Sequence, residues 1–158
     1  MGTGLLAQLA FRMAESGEKV EEILKTVTDA IKRTYTVAVL DTLEFLRRSG
    51  RLTNIQFGLG SLLLIKPVIY MQDSKIALER VRTRKGALHY MLEKLENIQP
   101  LEKFAFVHTH ALEKVGQFKE LVTDLIPAHK DILTGEVTPV IGAHIGPGAY
   151  GFSAIAAR

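Results

Sequence analysis

The chain has 158 residues, of which 47% are hydrophobic and 23% are charged. This length and composition predict one folded domain over residues 1–158 and exclude a disordered chain. The net charge of +3 is mild, and the basic residues are mixed with acidic ones, so nucleic acid is not an expected partner. The chain contains no cysteine, which excludes disulfide bonds and favours a cytoplasmic location.

Two helices are predicted at the start of the chain. The first covers residues 5–16 and ends before Gly17, a residue typical of helix C-termini. The second lies within residues 18–34 and is strongly amphipathic. Its apolar face, which we expect to point inward, consists of Val20, Ile23, Leu24, Val27 and Ile31.

The next segment predicts a buried strand followed by a short helix. Residues 34–40, "TYTVAVL", are apolar and rich in β-branched side chains, which favours a strand. Residues 41–44, "DTLE", have the form of a capping box and predict a helix as far as Arg48. The apolar run at residues 53–65 indicates a further helix, although its two glycines weaken that prediction by about 1 kcal/mol each.

A hairpin is predicted over residues 67–82, with its polar turn at residues 72–74. A helix follows over residues 84–98, and its apolar spacing places four side chains inward. These are Leu88, Met91, Leu92 and Leu95. The segment "KFAFVHTH", residues 103–110, is typical of a strand.

The last part of the chain predicts one more long helix and two strands. The helix covers residues 111–126 and ends before Pro127, and five of its apolar residues point inward. These are Leu112, Val115, Phe118, Val122 and Leu125. Short strands are expected within residues 131–138 and 148–157. The whole pattern predicts an α+β fold, with a mixed or antiparallel sheet that includes a hairpin and is covered by about six helices.

Residues 137–157 are almost free of charge and long enough to raise the question of a membrane span. Pro139, Pro147 and several glycines interrupt this segment, so we do not expect a stable span. The mean hydropathy of the chain, +0.13, is high for a domain whose whole surface faces water. It indicates either a large core or an apolar surface that faces a partner or an apolar ligand.

Two histidines near the end of a predicted strand are candidates for chemistry. His108 and His110 are two residues apart and would share one face of that strand, where they could contribute to a metal site. No third ligand lies near them in the sequence, so partly buried structural imidazoles are the alternative. A small hydrolase or transferase that uses this pair or His144 remains a separate hypothesis.

Arg51 follows the predicted short helix in "RRSGRLTN", before the next predicted helix. A guanidinium between two helix ends could hold a carboxylate or phosphate through two parallel hydrogen bonds. The alternative is an arginine that tethers its own loop through nearby carbonyls or an ion pair.

The segment "GAHIGPGAYG", residues 142–151, reads as a loop in which a histidine lies beside glycines. Glycine allows close approach of another group, and the N–H groups of Gly148 and Ala149 could point at an anion. His144 could donate a hydrogen bond to a carboxylate or phosphate. The alternative is a tight packing corner with a structural histidine.

Four segments together resemble the DegV family of bacterial fatty-acid-binding proteins. They are "DTLEFLRRSGRL", "LGSLLLIKPVIY", "RVRTRKGAL" and "IGAHIGPGAYG". They occur in the family order at family-like spacing, and the resemblance covers essentially the whole chain. The one departure is "SGR" where the family has Gly-Gly-Arg, which still matches Gly50 and Arg51.

The resemblance implies a lipid-binding module that is not an enzyme and needs no cofactor or metal. DegV proteins are about twice this long, so the chain resembles a C-terminal half without the N-terminal domain. The family holds one long-chain fatty acid between its two domains, and some members present it to a fatty-acid kinase. The resemblance places His144, Gly146 and Gly148 near the ligand head group, and Arg51 as a second polar contact or a residue that faces a partner.

A fatty acid needs an apolar tunnel with a small polar mouth, and the tail supplies most of the binding energy at about 0.8 kcal/mol per buried methylene. The candidate lining residues are apolar and equally compatible with ordinary core. They are Phe57, Leu59, Leu62, Leu63, Ile65, Val68 and Ile69. A third hypothesis is an interaction domain without a small ligand that exposes its apolar face to a protein partner. A homodimer of the truncated chain through that face would support this hypothesis.

Overall fold

The computed structural model describes residues 1–51, 65–73, 75–127 and 132–158. The helix predicted at 53–65 therefore lies almost entirely outside the described residues. The elements run in the order α1 (Gly2–Glu15), α2 (Val20–Lys32), β1 (Thr34–Val39), α3 (Glu44–Arg48), β2 (Lys66–Gln72), β3 (Lys75–Val81), α4 (Arg84–Glu96), β4 (Leu101–His108), α5 (Leu112–Val122) with a 3₁₀ turn (Thr123–Leu125), β5 (Leu133–Glu136), α6 (Pro139–Ile145) and β6 (Tyr150–Ala156).

The described strands form one mixed sheet in the order β3-β2-β1-β6-β4-β5. All neighbours are antiparallel except β4 and β5, which are parallel. The predicted hairpin is confirmed as β2 and β3, with Asp73 in its turn. The α+β prediction with a mixed sheet is therefore confirmed.

The C-terminal strand β6 lies in the middle of this sheet, between β1 and β4. Its small residues fit that place. A Cβ atom added to Gly151 would clash with the carbonyl oxygen of Val37 on the neighbouring strand. The close approach of two backbones therefore requires glycine at this position.

The main core lies on one face of the sheet, under α4 and α5. Three phenylalanine rings from β4 and β6 form its centre, and Phe118 from α5 packs against two of them. Met91 and Leu95 on α4 are fully buried, as their helical spacing predicts. The three strand rings are Phe104, Phe106 and Phe152.

Two smaller clusters lie beyond the main core. One forms where α1 and α2 meet the opposite face of the sheet, and it contains Leu5, Ala30, Ala105 and Ile155. The other, which we call the corner cluster, gathers residues that follow β1, from α3 and from the start of β6. Its buried members are Leu40, Leu43, Leu46 and Ala149, and Ile65, Ile69, Leu78 and Ile145 pack against them.

Two predicted inward faces are wrong in part. Leu112, the first residue of α5, is 64% exposed, while Val115, Phe118 and Val122 are buried as predicted. On α2, the buried position is Ala30, and most of the predicted apolar face is solvent-exposed. No helix in the described part of the chain has the length and apolar character needed to cross a bilayer.

Candidate functional site

The ends of four strands meet at one end of the sheet and bring distant polar residues together. Val39 at the end of β1 pairs with Val68 in β2 and with Tyr150 at the start of β6. Tyr150 in turn pairs with His108 at the end of β4. The loops at these strand ends therefore lie together at one end of the sheet, and they carry the predicted head-group residues.

The turn before β6, residues 146–149, lies at the centre of this end of the sheet, and we call it the glycine turn. Thr109 holds it through four hydrogen bonds. Its hydroxyl donates to the carbonyl of Gly146 at 2.6 Å and accepts from the N–H of Ala149 at 3.0 Å. Its carbonyl accepts from the N–H of Gly148 at 2.7 Å, and its N–H donates to the carbonyl of Ala149 at 2.9 Å.

These bonds correct one sequence-based hypothesis. The N–H groups of Gly148 and Ala149 do not point at an anion, because both are already bound by Thr109. The N–H of Gly146 is likewise used, since it donates to the carbonyl of Gly142 at 2.8 Å. The N–H groups of the glycine turn are thus all used within the domain, and a ligand head group needs side-chain donors instead.

The two glycines of the turn are required by conformation and by space. Gly146 has a φ of 75° and Gly148 a φ of 82°, values that side chains rarely allow. A Cβ atom on Gly146 would also enter the ring of Phe45 in α3, and one on Gly148 would enter the carboxylate of Asp41. The turn is therefore packed tightly against α3 and the end of β1.

Asp41 and two lysines fix the other side of the turn. Lys114 Nζ donates to Asp41 Oδ2 at 2.8 Å and to the carbonyl of Gly148 at 2.9 Å, and Lys66 Nζ donates to Asp41 Oδ1 at 3.3 Å. Burial alone would raise the pKa of Asp41, but the hydrogen bond and charge of Lys114, together with Lys66, lower it below its ordinary value. Asp41 therefore stays ionised at neutral pH.

The predicted capping box at residues 41–44 is wrong, because the carboxylate of Asp41 binds Lys114 and Lys66 instead of capping a helix. Helix α3 begins at Glu44 with Leu43 at its N-cap, and the carboxylate of Asp41 is engaged by the lysines. The local cap comes from Thr42, whose hydroxyl accepts from the N–H of Glu44 at 3.1 Å. The sequence did not reveal Thr109 or Lys114 as site residues, because their partners lie more than thirty residues away.

His144 lies in the last turn of α6, a short helix, and not in the loop that its glycines predict. Its Nδ1 atom is buried and has no hydrogen-bond partner among the described residues. The next residue, Ile145, packs against the corner cluster. A buried nitrogen without a partner costs about 1–3 kcal/mol, so this position is suited to a ligand that supplies one.

A cleft of about 510 Å³ opens beside the glycine turn, between the loops after β4 and β5 and the start of α6. Gly142 and Gly146, which lie on either side of His144 in the sequence, both line it. Its other lining residues are Thr109, His110, Glu136, Val137, Thr138, Pro139 and Pro147. Helix α6 thus borders this cleft at Gly142, and its residue Ile145 packs on the corner cluster.

The structure separates the two histidines that were expected to share one face of a strand. His108 ends β4, is nearly buried and accepts a long hydrogen bond of 3.5 Å from the N–H of Ala111 at Nδ1. His110 lies in the loop beyond, with a φ of 47°, and its Nδ1 is 3.2 Å from Glu136 Oε1. That expectation is wrong, and the described residues contain no group of three potential metal ligands.

Arg51 lies in an exposed turn two residues beyond the C-cap of α3. Its N–H donates to the carbonyl of Leu46 at 2.9 Å, which fixes the backbone but not the guanidinium. No ion pair joins that guanidinium to another described residue. Because α3 packs against α6, Arg51 and His144 belong to neighbouring segments of the same region.

The predicted tunnel residues divide into three groups. Ile65 and Ile69 pack on the corner cluster, as Ile145 does. Val68 is fully buried in the main core, on the opposite face of the sheet, because successive strand residues point to opposite faces. It therefore cannot share one surface with Ile69. The rest, Phe57, Leu59, Leu62 and Leu63, lie outside the described residues.

Comparison with known proteins agrees with this architecture. A family model described as an uncharacterised protein of the DegV family matches residues 1–157. The chain belongs to the DegV family. A DegV domain-containing protein of Clostridium acetobutylicum is 30% identical over 155 residues, which cover 96% of this chain and 55% of that relative.

Solved DegV structures share the fold described above. A fatty acid binding DegV family protein from Streptococcus agalactiae superposes with a TM-score of 0.82 at 28% identity, covering 98% of this chain and 56% of that one. A DegV family protein from Thermus thermophilus, whose structure is described in terms of fatty acid binding, gives 0.83 at 28% identity, covering 99% and 57%. The chain thus spans about half the length of these DegV proteins.

Proposed function

We propose that this chain is a lipid-binding module that holds a long-chain fatty acid, with its apolar tail on the corner cluster and its carboxylate at His144. The observation that carries the proposal is the buried Nδ1 of His144, which has no partner among the described residues while its neighbour Ile145 packs on the corner cluster. A polar group beside an apolar cluster matches a ligand with one polar end.

The DegV relatives support the choice of ligand, since two of them with 28% identity are described as binding fatty acids. The tail then provides most of the affinity, at about 0.8 kcal/mol for each buried methylene. His144 provides orientation through one hydrogen bond to the carboxylate. Gly146 and Gly148 act indirectly, because they let the turn pack closely enough to place α6.

The proposed function also involves a further domain and a partner protein. We infer that the ligand lies between this domain and a further domain present in the longer relatives, and that the head group is presented there to a fatty-acid kinase. The exposed guanidinium of Arg51, beside α3, suits a contact with the ligand or with such a partner. We propose that this chain binds the fatty acid, without a chemical step or a cofactor.

His144→Ala tests the role of the head group. The variant is expected to bind a fatty acid roughly 5- to 150-fold more weakly, which corresponds to the 1–3 kcal/mol of a lost hydrogen bond. It is expected to lose less affinity for the fatty alcohol of the same length, because a hydrogen bond to a neutral hydroxyl is weaker than one to a carboxylate. Titration calorimetry with both ligands measures the difference.

The matched control is His89→Ala, because His89 is an exposed residue of α4, away from the corner cluster. This control is expected to keep both affinities. An equal loss of acid and alcohol in His144→Ala would show a structural role for the imidazole. No loss at all would remove His144 from the binding site.

A further inference from the structure

Helix α2 presents an apolar stripe that is largely exposed in the described part of the chain. Val20 is 65% exposed, Leu24 is 62% exposed and Ile31 is 39% exposed, while Val27 between them is half-buried. The helix is anchored instead through Ala30, which is fully buried against the sheet. The stripe thus lies beside the anchored face, on a side of α2 that is open to solvent.

The spacing of the stripe is that of a helix–helix seam. Its four residues follow one another at intervals of four, three and four, the alternation of core positions in a two-stranded coiled coil. Scattered surface leucines need no explanation, but a continuous stripe along a whole helix marks an interaction site. The partner that fits such a seam best is another helix with the same spacing.

The charges beside the stripe favour a second copy of α2 as the partner helix. Glu21 lies in the first turn of α2 and Lys32 in the last, and their separation of eleven residues places them on the same border of the stripe. Neither forms an ion pair with another described residue. The remaining acids on α2 are engaged, since Glu22 pairs with Lys25 and Asp29 with Arg33 and Arg158.

We propose that the α2 stripe is the interface with a second copy of this chain, in which the two α2 helices pack antiparallel about a two-fold axis. This arrangement brings Glu21 of each copy beside Lys32 of the other, and it opposes the two helix dipoles. A parallel pair would leave Glu21 of one copy and Lys32 of the other at opposite ends of the seam, so that no such ion pair could form. One helix pair is a small interface, so the association is expected to be reversible.

Leu24→Glu tests the interface by sedimentation equilibrium over a concentration series. The unchanged chain is expected to form dimers as the concentration rises, and the variant is expected to remain monomeric. Leu112→Glu is the matched control, because Leu112 on α5 is 64% exposed, nearly the same as Leu24. It is expected to dimerise like the unchanged chain. Both positions are solvent-exposed, so neither variant should unfold.

A charge exchange tests the antiparallel geometry. Glu21→Lys and Lys32→Glu are each expected to weaken dimerisation by roughly tenfold, because each replaces two symmetry-related attractions with repulsions. The double variant is expected to restore it. A monomer at all concentrations would assign the stripe to another partner and overturn the proposal, as would a dimer that survives Leu24→Glu or a double variant that is weaker than either single one.

Discussion

Ile69→Glu is expected to abolish binding of a long acyl chain, with a loss of affinity of more than about 100-fold. Ile69, like Ile145, packs on the corner cluster, where we place the fatty-acid tail. A carboxylate at this position would have to be buried beside methylene groups, and it would also repel the ligand head group. Titration with a long-chain fatty acid measures the loss, and circular dichroism verifies that the variant is folded.

Met71→Glu is the matched control for this substitution. Met71 lies two residues further along β2 and therefore on the same face of the sheet, but it is 38% exposed and not part of the corner cluster. The control is expected to bind as well as the unchanged chain. Equal affinity in both variants, or an equal loss in both, would place the acyl chain elsewhere.

Thr109→Val is expected to lower the free energy of unfolding by roughly 2–4 kcal/mol, and the Tm by roughly 5–15 °C. Valine keeps the shape of threonine but removes the hydroxyl that binds the carbonyl of Gly146 and the N–H of Ala149. Thr109 is 5% exposed, so water cannot readily replace those two bonds. Urea denaturation measures the loss of stability.

Thr123→Val is the comparison for Thr109. The Thr123 hydroxyl donates to the carbonyls of Lys119 and Glu120, but on the exposed side of a helix, where water can take its place. Its loss is expected to cost less than about 0.5 kcal/mol. If the two valine variants were equally stable, the glycine turn would not depend on Thr109 as described.

The sequence predicts the elements well where apolar periodicity is strong. The spacing on α4 correctly places Met91 and Leu95 in the core, and the apolar strand β4 occurs where "KFAFVHTH" predicts one. Faces are harder to predict than elements. Helix α2 has a clear apolar stripe, but burial is decided by its contact with α1 and the sheet, which periodicity does not encode.

The candidate site is only partly predictable. Helix α6 was missed because its glycines favour a loop, although Pro139 at its first position and Gly146 after its last residue are typical helix-boundary signals. Thr109 and Lys114 reach the glycine turn only through the pairing of β4 with β6. Histidine and glycine types marked this region as a candidate site, but they did not reveal the residues that hold the turn together.

Native mass spectrometry of the purified chain, followed by extraction of any bound lipid, can show whether this domain holds a fatty acid. We expect a complex whose added mass is that of one long-chain fatty acid, or uptake of one such acid when it is supplied. A chain that is isolated empty, and that remains empty after incubation with long-chain fatty acids, would contradict the assignment of this domain as a module that holds the acyl chain.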